Sequence, residues 1–294
     1  MKTIAHISDI HFGRVDPEVV EALVADLHRR PPTLTVVSGD LTQRARRHQF
    51  EAARALLDRL PGPYLVIPGN HDIAAFHRPF SRLFRPFSRY RRYIADDLCP
   101  TYVDDGLAVV GINTARPLRR KEGSISSLQV GRVRRVLAGL DDRLFKVVVT
   151  HHPFIPPPAT PDKGVLGQAE RALRVFEACS VDLLLAGHLH VAYTGDVTTH
   201  YTAIKRTILV AQAATATSNR LRREPNAYNW IAVHGPTLDL HTRVWDGTAF
   251  RESEAETFER RPGGWVKTRD VRTGVQPKLT EGGDEGDDDG GDGG

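Results

Sequence analysis

Long apolar runs, clustered cysteines and lysine are all scarce in this chain of 294 residues. Its longest apolar stretches, among them Phe145 to Thr150 and Val181 to Ala186, fall far short of the roughly 20 residues that span a bilayer, so no transmembrane helix is expected. Met1, Lys2 and Thr3 lead directly into a strand-like run carrying Asp9 and His11, without the long apolar core of a secretory signal; a cytoplasmic location is the expectation. The only two cysteines, Cys99 and Cys179, are 80 positions apart and form no CxxC or Cys/His spacing. That argues against a disulfide framework and a thiolate zinc site, and leaves two small buried hydrophobes. Lysine occurs seven times against 33 arginines, a compositional bias beside abundant Ala, Gly and Pro from which no mechanism is read.

Charge is unevenly placed. Residues 281–294 hold seven acidic residues and no basic one, which leaves +11 on the other 280 residues of a chain with formal net charge +4. A basic body favours anionic partners by long-range steering without specifying which anion. The tail is mostly Gly and Asp, with no apolar residue after Leu279 to offset its ordering entropy, and is expected to be disordered.

Through the first 190 residues short apolar runs alternate with helical patterns. The runs are Thr3 to Ile7, Leu34 to Val37, Tyr64 to Ile67, Leu107 to Ile112, Phe145 to Val149 and Val181 to Ala186. This alternation predicts an α/β architecture. Between the first two runs, Asp16 can cap a helix, Pro17 suits its first position, and Val19, Val20, Leu23, Val24 and Leu27 make one face. Similar faces come from Phe50, Ala53, Leu56, Leu57 and Leu60, from Val133, Val136, Leu137 and Leu140, and from Ala169, Ala172, Leu173 and Phe176. Beyond residue 200 the runs Arg206 to Ala211, Asn229 to His234 and Thr237 to Trp245 predict an antiparallel half. The stretch 73–97 interrupts the rhythm, with Arg78, Arg82, Arg85, Arg89, Arg91 and Arg92 among Phe76, Phe80, Phe84, Phe87 and Tyr90, and is expected to be a helical insertion.

Five strand ends carry polar clusters: Asp9-Ile10-His11, Gly39-Asp40, Gly69-Asn70-His71-Asp72, His151-His152-Pro153 and Gly187-His188-Leu189-His190. Residues two apart at a strand end project the same way, so an Asp and a His could share one ion. A preceding glycine lets the backbone approach closely. Taken singly, each cluster is as well explained by a capped loop or a turn. Together they fall where open α/β sheets bind ligands, outside the carboxyl ends of the strands, whereas chance would scatter them as it scatters His28, His48 and His77.

The motifs D-x-H, G-D, G-N-H-D, H-x-P and G-H-x-H, complete and in order over about residues 1 to 245, resemble those of the calcineurin-like metallophosphoesterase superfamily. GDLTQRA after the second strand and EPNAYNWI late in the chain are most similar to the bacterial cyclic-nucleotide phosphodiesterase-like (class III) group. The resemblance implies a four-layer αββα sandwich of two mixed β-sheets flanked by helices. It implies a metallophosphoesterase domain over 1–250 that carries the 73–97 insertion, then a C-terminal extension 251–280 and the acidic tail. It implies that Asp9, His11 and His190 hold one metal, that Asn70, His151 and His188 hold a second, and that Asp40 bridges them with one oxygen toward each. His151 is taken over His152 because it fits the His of H-x-P, its neighbour alternating away. His71 is the implied catalytic histidine, oriented by Asp72.

Such a pair of cations, roughly 3.5–4 Å apart, lowers the pKa of a shared water to give metal-bound hydroxide and neutralises phosphoryl oxygens. The N and O donors suit Mn, Fe or Zn, and the resemblance favours Mn or Fe. The implied reaction is phosphodiester hydrolysis of a small diester or nucleotide, with a 3',5'-cyclic nucleotide as one candidate. A nuclease or a pyrophosphatase on a nucleotide-linked lipid stays open. The Arg/aromatic insertion could stack bases or grip a lipid headgroup at a membrane surface, or could merely pack its rings and solvate its arginines. A non-catalytic scaffold is opposed by the intact set of seven ligand positions. Nucleic acid is the less favoured substrate, peripheral membrane contact stays open, and the sequence carries no reading of oligomeric state.

Overall fold

The computed structural model describes residues 1–75, 79–119, 121–158, 161, 165–219, 224–275 and 278. The acidic tail, and Phe76, His77 and Arg78 of the insertion, lie outside the described residues.

The apolar runs of the first half form β1 (Lys2–Ile7), β2 (Leu34–Val37), β3 (Tyr64–Val66), β5 (Leu107–Ile112), β6 (Phe145–Thr150) and β7 (Leu183–Ala186), with a short β4 (Thr101–Val103) ahead of β5. After them come β8 (Tyr193–Asp196), β9 (Leu209–Gln212), β10 (Ala227–His234), β11 (Thr237–Trp245), β12 (Phe250–Arg261) and β13 (Gly264–Arg272). The helices are α1 (Pro17–Arg29), α2 (Arg47–Leu57), α3 (Pro79–Phe84), α4 (Ser88–Tyr93), α5 (Ser127–Leu137) and α6 (Ala169–Ala178). As expected, Asp16 caps α1 by accepting the Glu18 N–H at 3.0 Å, with Pro17 in the first helical position. None of these helices is long and apolar enough to cross a membrane.

Two mixed sheets stack face to face. One has the order β13-β12-β11-β10-β1-β2-β3, the other β4-β5-β6-β7-β9-β8. Because both faces of the central strands are covered, their sequences are almost continuously apolar, with alternate residues serving different cores. Ile4 of β1 and Val147 and Val149 of β6 meet in the layer between the sheets. Ala5 and Ile7 face outward toward α1 and α2, and Val148 faces α5 and α6. The result is the four-layer αββα sandwich, flanked on each side by the apolar helix faces read from the sequence. The 73–97 segment supplies α3 and α4, and Phe87, Tyr90 and Ile94 seal the outer core of the larger sheet.

The late half departs from the antiparallel expectation. β10 to β13 are antiparallel, but β9 pairs in parallel with β7, Leu183 to Leu209 through Ala186 to Gln212. Its reversal is made instead with β8, which pairs antiparallel with it. The stretch read as an extension after residue 250 continues the larger sheet, with Trp265 and Phe258 packed in the inter-sheet core.

Buried charges fasten these layers. Asp182, fully buried, accepts hydrogen bonds from the Lys146 backbone, Arg206, Arg260 and the Trp265 indole, joining β13 to the second sheet. Asp26 of α1, also buried, accepts from the Tyr228 hydroxyl at 2.6 Å and from Arg243 at 2.8 and 3.1 Å. Burial opposes its ionisation, but Arg243, Tyr228 and Arg29 together hold the carboxyl below its usual range. Asp26→Asn leaves Arg243 buried without a counter-ion, at a cost of about 3–5 kcal/mol. A carboxyl with a depressed folded-state pKa contributes stability that is complete above about pH 4 and is lost as pH falls through the folded value. Thermal unfolding should therefore show a large gap between parent and variant at pH 7 that closes in acid. A gap independent of pH would show that the carboxylate charge is not the source.

Candidate metal centre

The polar clusters gather at one edge of the sandwich, past the carboxyl ends of β1, β2, β3, β6 and β7. Five of their residues have left-handed backbones without being glycine: Asp9 at φ 52°, His11 at 54°, Asp40 at 52°, His188 at 73° and His190 at 60°. Such conformations are uncommon for residues with a Cβ, and their concentration on one set of polar side chains marks strain held in place for a site.

That strain aims acceptor atoms at one another. Asp9 Oδ1 lies 3.2 Å from His190 Nε2 and 3.6 Å from His11 Nε2, and His11 Nε2 lies 3.1 Å from His190 Nε2. In the neighbouring group, His151 Nε2 is 3.0 Å from Asn70 Oδ1 and 3.3 Å from Asp40 Oδ2. Asp40 Oδ2 is also 3.8 Å from His11 Nε2, so one oxygen faces both groups. The other oxygen, Asp40 Oδ1, accepts the His71 N–H at 2.9 Å. His188 closes the second group, with its ring 5.1 Å from that of His151.

The donor set fits metal ions. A carbonyl only accepts, so the 2.8 Å bond from His151 Nδ1 to Ser38 O places the ring proton on Nδ1 and leaves a lone pair on Nε2. That lone pair faces two oxygens. Around an ion with bonds of about 2.1 Å, neighbouring N and O ligands stand about 3.0–3.4 Å apart, close to the spacings here. Without a cation the electrostatics demand a proton in its stead: burial opposes it, but the Asp40 carboxylate pushes the His151 imidazole up to about 9. Burial likewise resists the charge on Asp9, whose carboxyl is nonetheless held well below the usual range by His190. Asp9 Oδ1, His11 Nδ1 and His190 Nδ1 are buried with no hydrogen-bond partner among the described residues. Ligating atoms of Asp9, His11 and His190 lie within 4.8 Å of one another, as do those of Asp9, Asp40 and His151 and those of His151, His152 and His188.

Two glycines make the close packing possible. A Cβ on Gly69 would stand 2.1 Å from Asp40 Oδ1, and one on Gly187 would stand 1.8 Å from Ser8 Oγ and 2.4 Å from Asp9 Oδ2. Asp9 Oδ2 is held there by the Ser8 hydroxyl at 2.7 Å and the His188 N–H at 2.8 Å. Gly187→Ala should displace the Asp9 carboxylate and weaken ion binding by about tenfold or more, as loss of such support does in other metal sites. Calorimetric titration with Mn²⁺ checks this, and unchanged affinity would show that the loop yields freely.

His71 and Asp72 lie beside the centre but do not form the expected pair. His71 Nδ1 donates to Gln43 O at 2.8 Å, and its ring meets that of His11 edge-on at 4.9 Å. The Asp72 carboxylate turns away, accepting from the N–H groups of Leu41, Thr42 and Gly69 and from the Thr42 hydroxyl. Asp72 thus braces the β2 loop against the β3 loop, and Gln43 orients the imidazole.

His152, set aside on strand alternation, is buried among the ligands, its ring 4.6 Å from that of His188. Alternation stops applying once the strand ends at Thr150. The Thr114 hydroxyl lies 2.8 Å from His152 Nδ1 and 3.4 Å from its backbone N, and His152 Nε2 is buried with no hydrogen-bond partner among the described residues. The sequence reading also missed the supports of the first loop. Thr215 and Thr217 hydroxyls hold the carbonyls of Asp9 and Ile10, and Asn226 of the EPNAYNWI motif holds the carbonyls of Thr215 and Ser218. The asparagine in that motif was the available signal.

Comparison with known proteins agrees with this geometry. Residues 2–192 match the family model for calcineurin-like phosphoesterases. A glycerophosphodiester phosphodiesterase, GpdQ, of Enterobacter lignolyticus is 28% identical over 205 residues, covering 64% of this chain and 70% of the relative. A probable cyclic nucleotide phosphodiesterase of a Synechococcus strain is 26% identical over 203 residues, covering 65% and 74%. Among solved structures, a dimetal phosphatase of Danio rerio superposes with a TM-score of 0.60 at 16% identity, covering 83% of this chain and 96% of its own. A purple acid phosphatase of yellow lupin (Lupinus luteus) seeds superposes at 0.68 and 11% identity over 88% of this chain, which spans only 54% of that longer protein. The fold, the convergent N and O donors and the family match lead to one assignment: the chain belongs to the calcineurin-like phosphoesterase family and is a hydrolase of phosphoester bonds.

Proposed function

We propose that the enzyme hydrolyses a small phosphodiester at a two-metal centre, with 3',5'-cyclic nucleotides as the leading substrates and Mn or Fe, or else Zn, as the ions. The observation that carries this reading is the convergence of Asp9, His11 and His190 beside Asn70, His151 and His188, with Asp40 Oδ2 facing both groups. Asp9, His11 and His190 would hold one ion, Asn70, His151 and His188 the other, and Asp40 would serve both. Both curated relatives are named as phosphodiesterases, which supports a diester over a monoester.

Ions at this site supply an activated water and positive charge for the phosphoryl oxygens. The remaining work belongs to side chains. His71, with Nδ1–H committed to Gln43 O, has Nε2 free to carry a proton to the leaving oxygen. His152, kept neutral by burial, has Nε2 unpartnered among the described residues and offers it to a polar group of the bound substrate.

The test is a panel of bis(p-nitrophenyl) phosphate, p-nitrophenyl phosphate, cyclic nucleotides, single-stranded DNA and nucleotide-diphosphate lipids, run on metal-stripped enzyme restored with Mn, Fe or Zn. Diesters should be preferred to the monoester, and cyclic nucleotides turned over. Monoester preference overturns the diester reading, and turnover of DNA or lipid pyrophosphate alone replaces the cyclic nucleotide with that substrate.

A further inference from the structure

Beside the centre lies a surface that hydrolysis does not use. Phe80, Leu83 and Phe84 occupy positions i, i+3 and i+4 of α3, one face of the helix, and are 79%, 53% and 71% exposed. The Phe80 and Phe84 rings stack at 6.4 Å. Arg82, on the other side of the helix, is buried and donates from Nε to Pro117 O at 2.6 Å and from an amino group to Ala74 O at 2.7 Å. This fastens α3 to the loop after β5, where Leu118, next to Pro117, is 83% exposed. Single exposed apolar side chains are ordinary, but three large ones on one helix face, with a fourth on a segment bolted to that helix, call for an occupant.

Charge and shape choose among occupants. Arg85 follows Phe84, Arg119 follows Leu118, both are exposed, and the chain without its tail carries +11. A second copy docked on this patch would set its own arginines against these, and like charges across an interface repel. α3 is six residues long, so it offers a partner helix less than two turns to pack along. Protruding aromatic and leucine tips next to arginines suit the interfacial zone of an anionic bilayer, where apolar groups enter the headgroup boundary and cations meet the surface charge. We propose that this patch docks the protein on an anionic lipid surface. The placement follows from the chain path: α3 begins seven residues after Asp72, and Thr114, four residues before Leu118, holds His152. Docking there sets the hydrolytic centre beside the headgroups. The proposal does not depend on which diester is the substrate.

Co-sedimentation of the full chain with vesicles tests it, comparing phosphatidylglycerol/phosphatidylcholine vesicles with pure phosphatidylcholine. The protein should pellet with the anionic vesicles at low salt and be released at about 0.5 M salt, where screening shortens electrostatic reach to a few Å. A triple variant, Phe80→Ser, Leu83→Ser and Leu118→Ser, should bind at least about tenfold more weakly while hydrolysing soluble bis(p-nitrophenyl) phosphate as the parent does. Failure to pellet with anionic vesicles, or equal binding by the triple variant, overturns the proposal. So does sedimentation velocity that shows a parent dimer abolished in the variant, which would assign the patch to a second copy.

Discussion

Replacing Asp40 with alanine should empty the centre of bound metal and remove turnover together. Asp40 Oδ2 faces both His11 and His151, at 3.8 and 3.3 Å from their Nε2 atoms, and the side chain is buried. Burial opposes its charge, but His151, His71 and His11 hold its carboxyl far below the ordinary range, so it presents a full negative charge to whatever lies between the two groups. Removing it leaves imidazoles and the Asn70 amide oxygen around a single remaining carboxylate, Asp9. Metal chemistry of this kind supplies several kcal/mol of transition-state stabilisation, so activity should fall by about 10³-fold or more. Asp40→Asn separates charge from shape. Its amide can keep the contact with the His71 N–H yet cannot neutralise two cations, and it should lose metal almost as completely. Elemental analysis beside turnover checks both variants, and an Asp40→Ala protein with full metal content would remove the shared-carboxylate role.

The second large effect is expected at His71, and in the opposite combination. His71→Ala should keep both ions, because the proposed ligand set is complete without it and its Nδ1 is held by Gln43 O. Turnover should still fall by about 10²–10⁴-fold, the usual contribution of a positioned proton donor. The loss should be smaller for p-nitrophenyl esters, whose leaving group needs little protonation, than for alkyl or cyclic esters. A uniform loss across leaving groups would assign His71 to binding instead of proton transfer. Asp72 separates the two histidine readings further. Because its carboxylate clamps amides of the β2 and β3 loops, with no contact to the imidazole, substitution there should lower stability without reproducing the leaving-group dependence.

What could be read from the residues follows from where local rules hold. Strands β1, β2, β5 and β6 are largely apolar runs bounded by turns, and the ends of β1, β2 and β6 locate Asp9, Asp40 and His151, because ligands bind outside the carboxyl ends of such strands. β12 and β13 escaped notice because Phe250 to Arg261 is mostly Glu, Arg, Ser and Thr; pairing along the sheet forms these strands, with Phe258 and Trp265 reaching the inter-sheet core and Phe250 the outer one. Parallel pairing of β9 with β7 was invisible, since registry between distant segments leaves no local mark. Within the site, the residues that converge were legible in the motifs, whereas the partners that orient them were not. Asp72 sits next to His71 in sequence, yet a positive φ at Asp40 and the turn at Asn70–Asp72 bring backbone amides to it first. His152 falls after Thr150, beyond the reach of strand periodicity.

The most direct measurement is metal stoichiometry with placement: elemental analysis of the purified enzyme, and anomalous diffraction from crystals of the same sample. Two ions per chain are expected, one among Asp9, His11 and His190, the other among Asn70, His151 and His188, with Asp40 between them. A single ion, or ions bound away from Asp40, would contradict it.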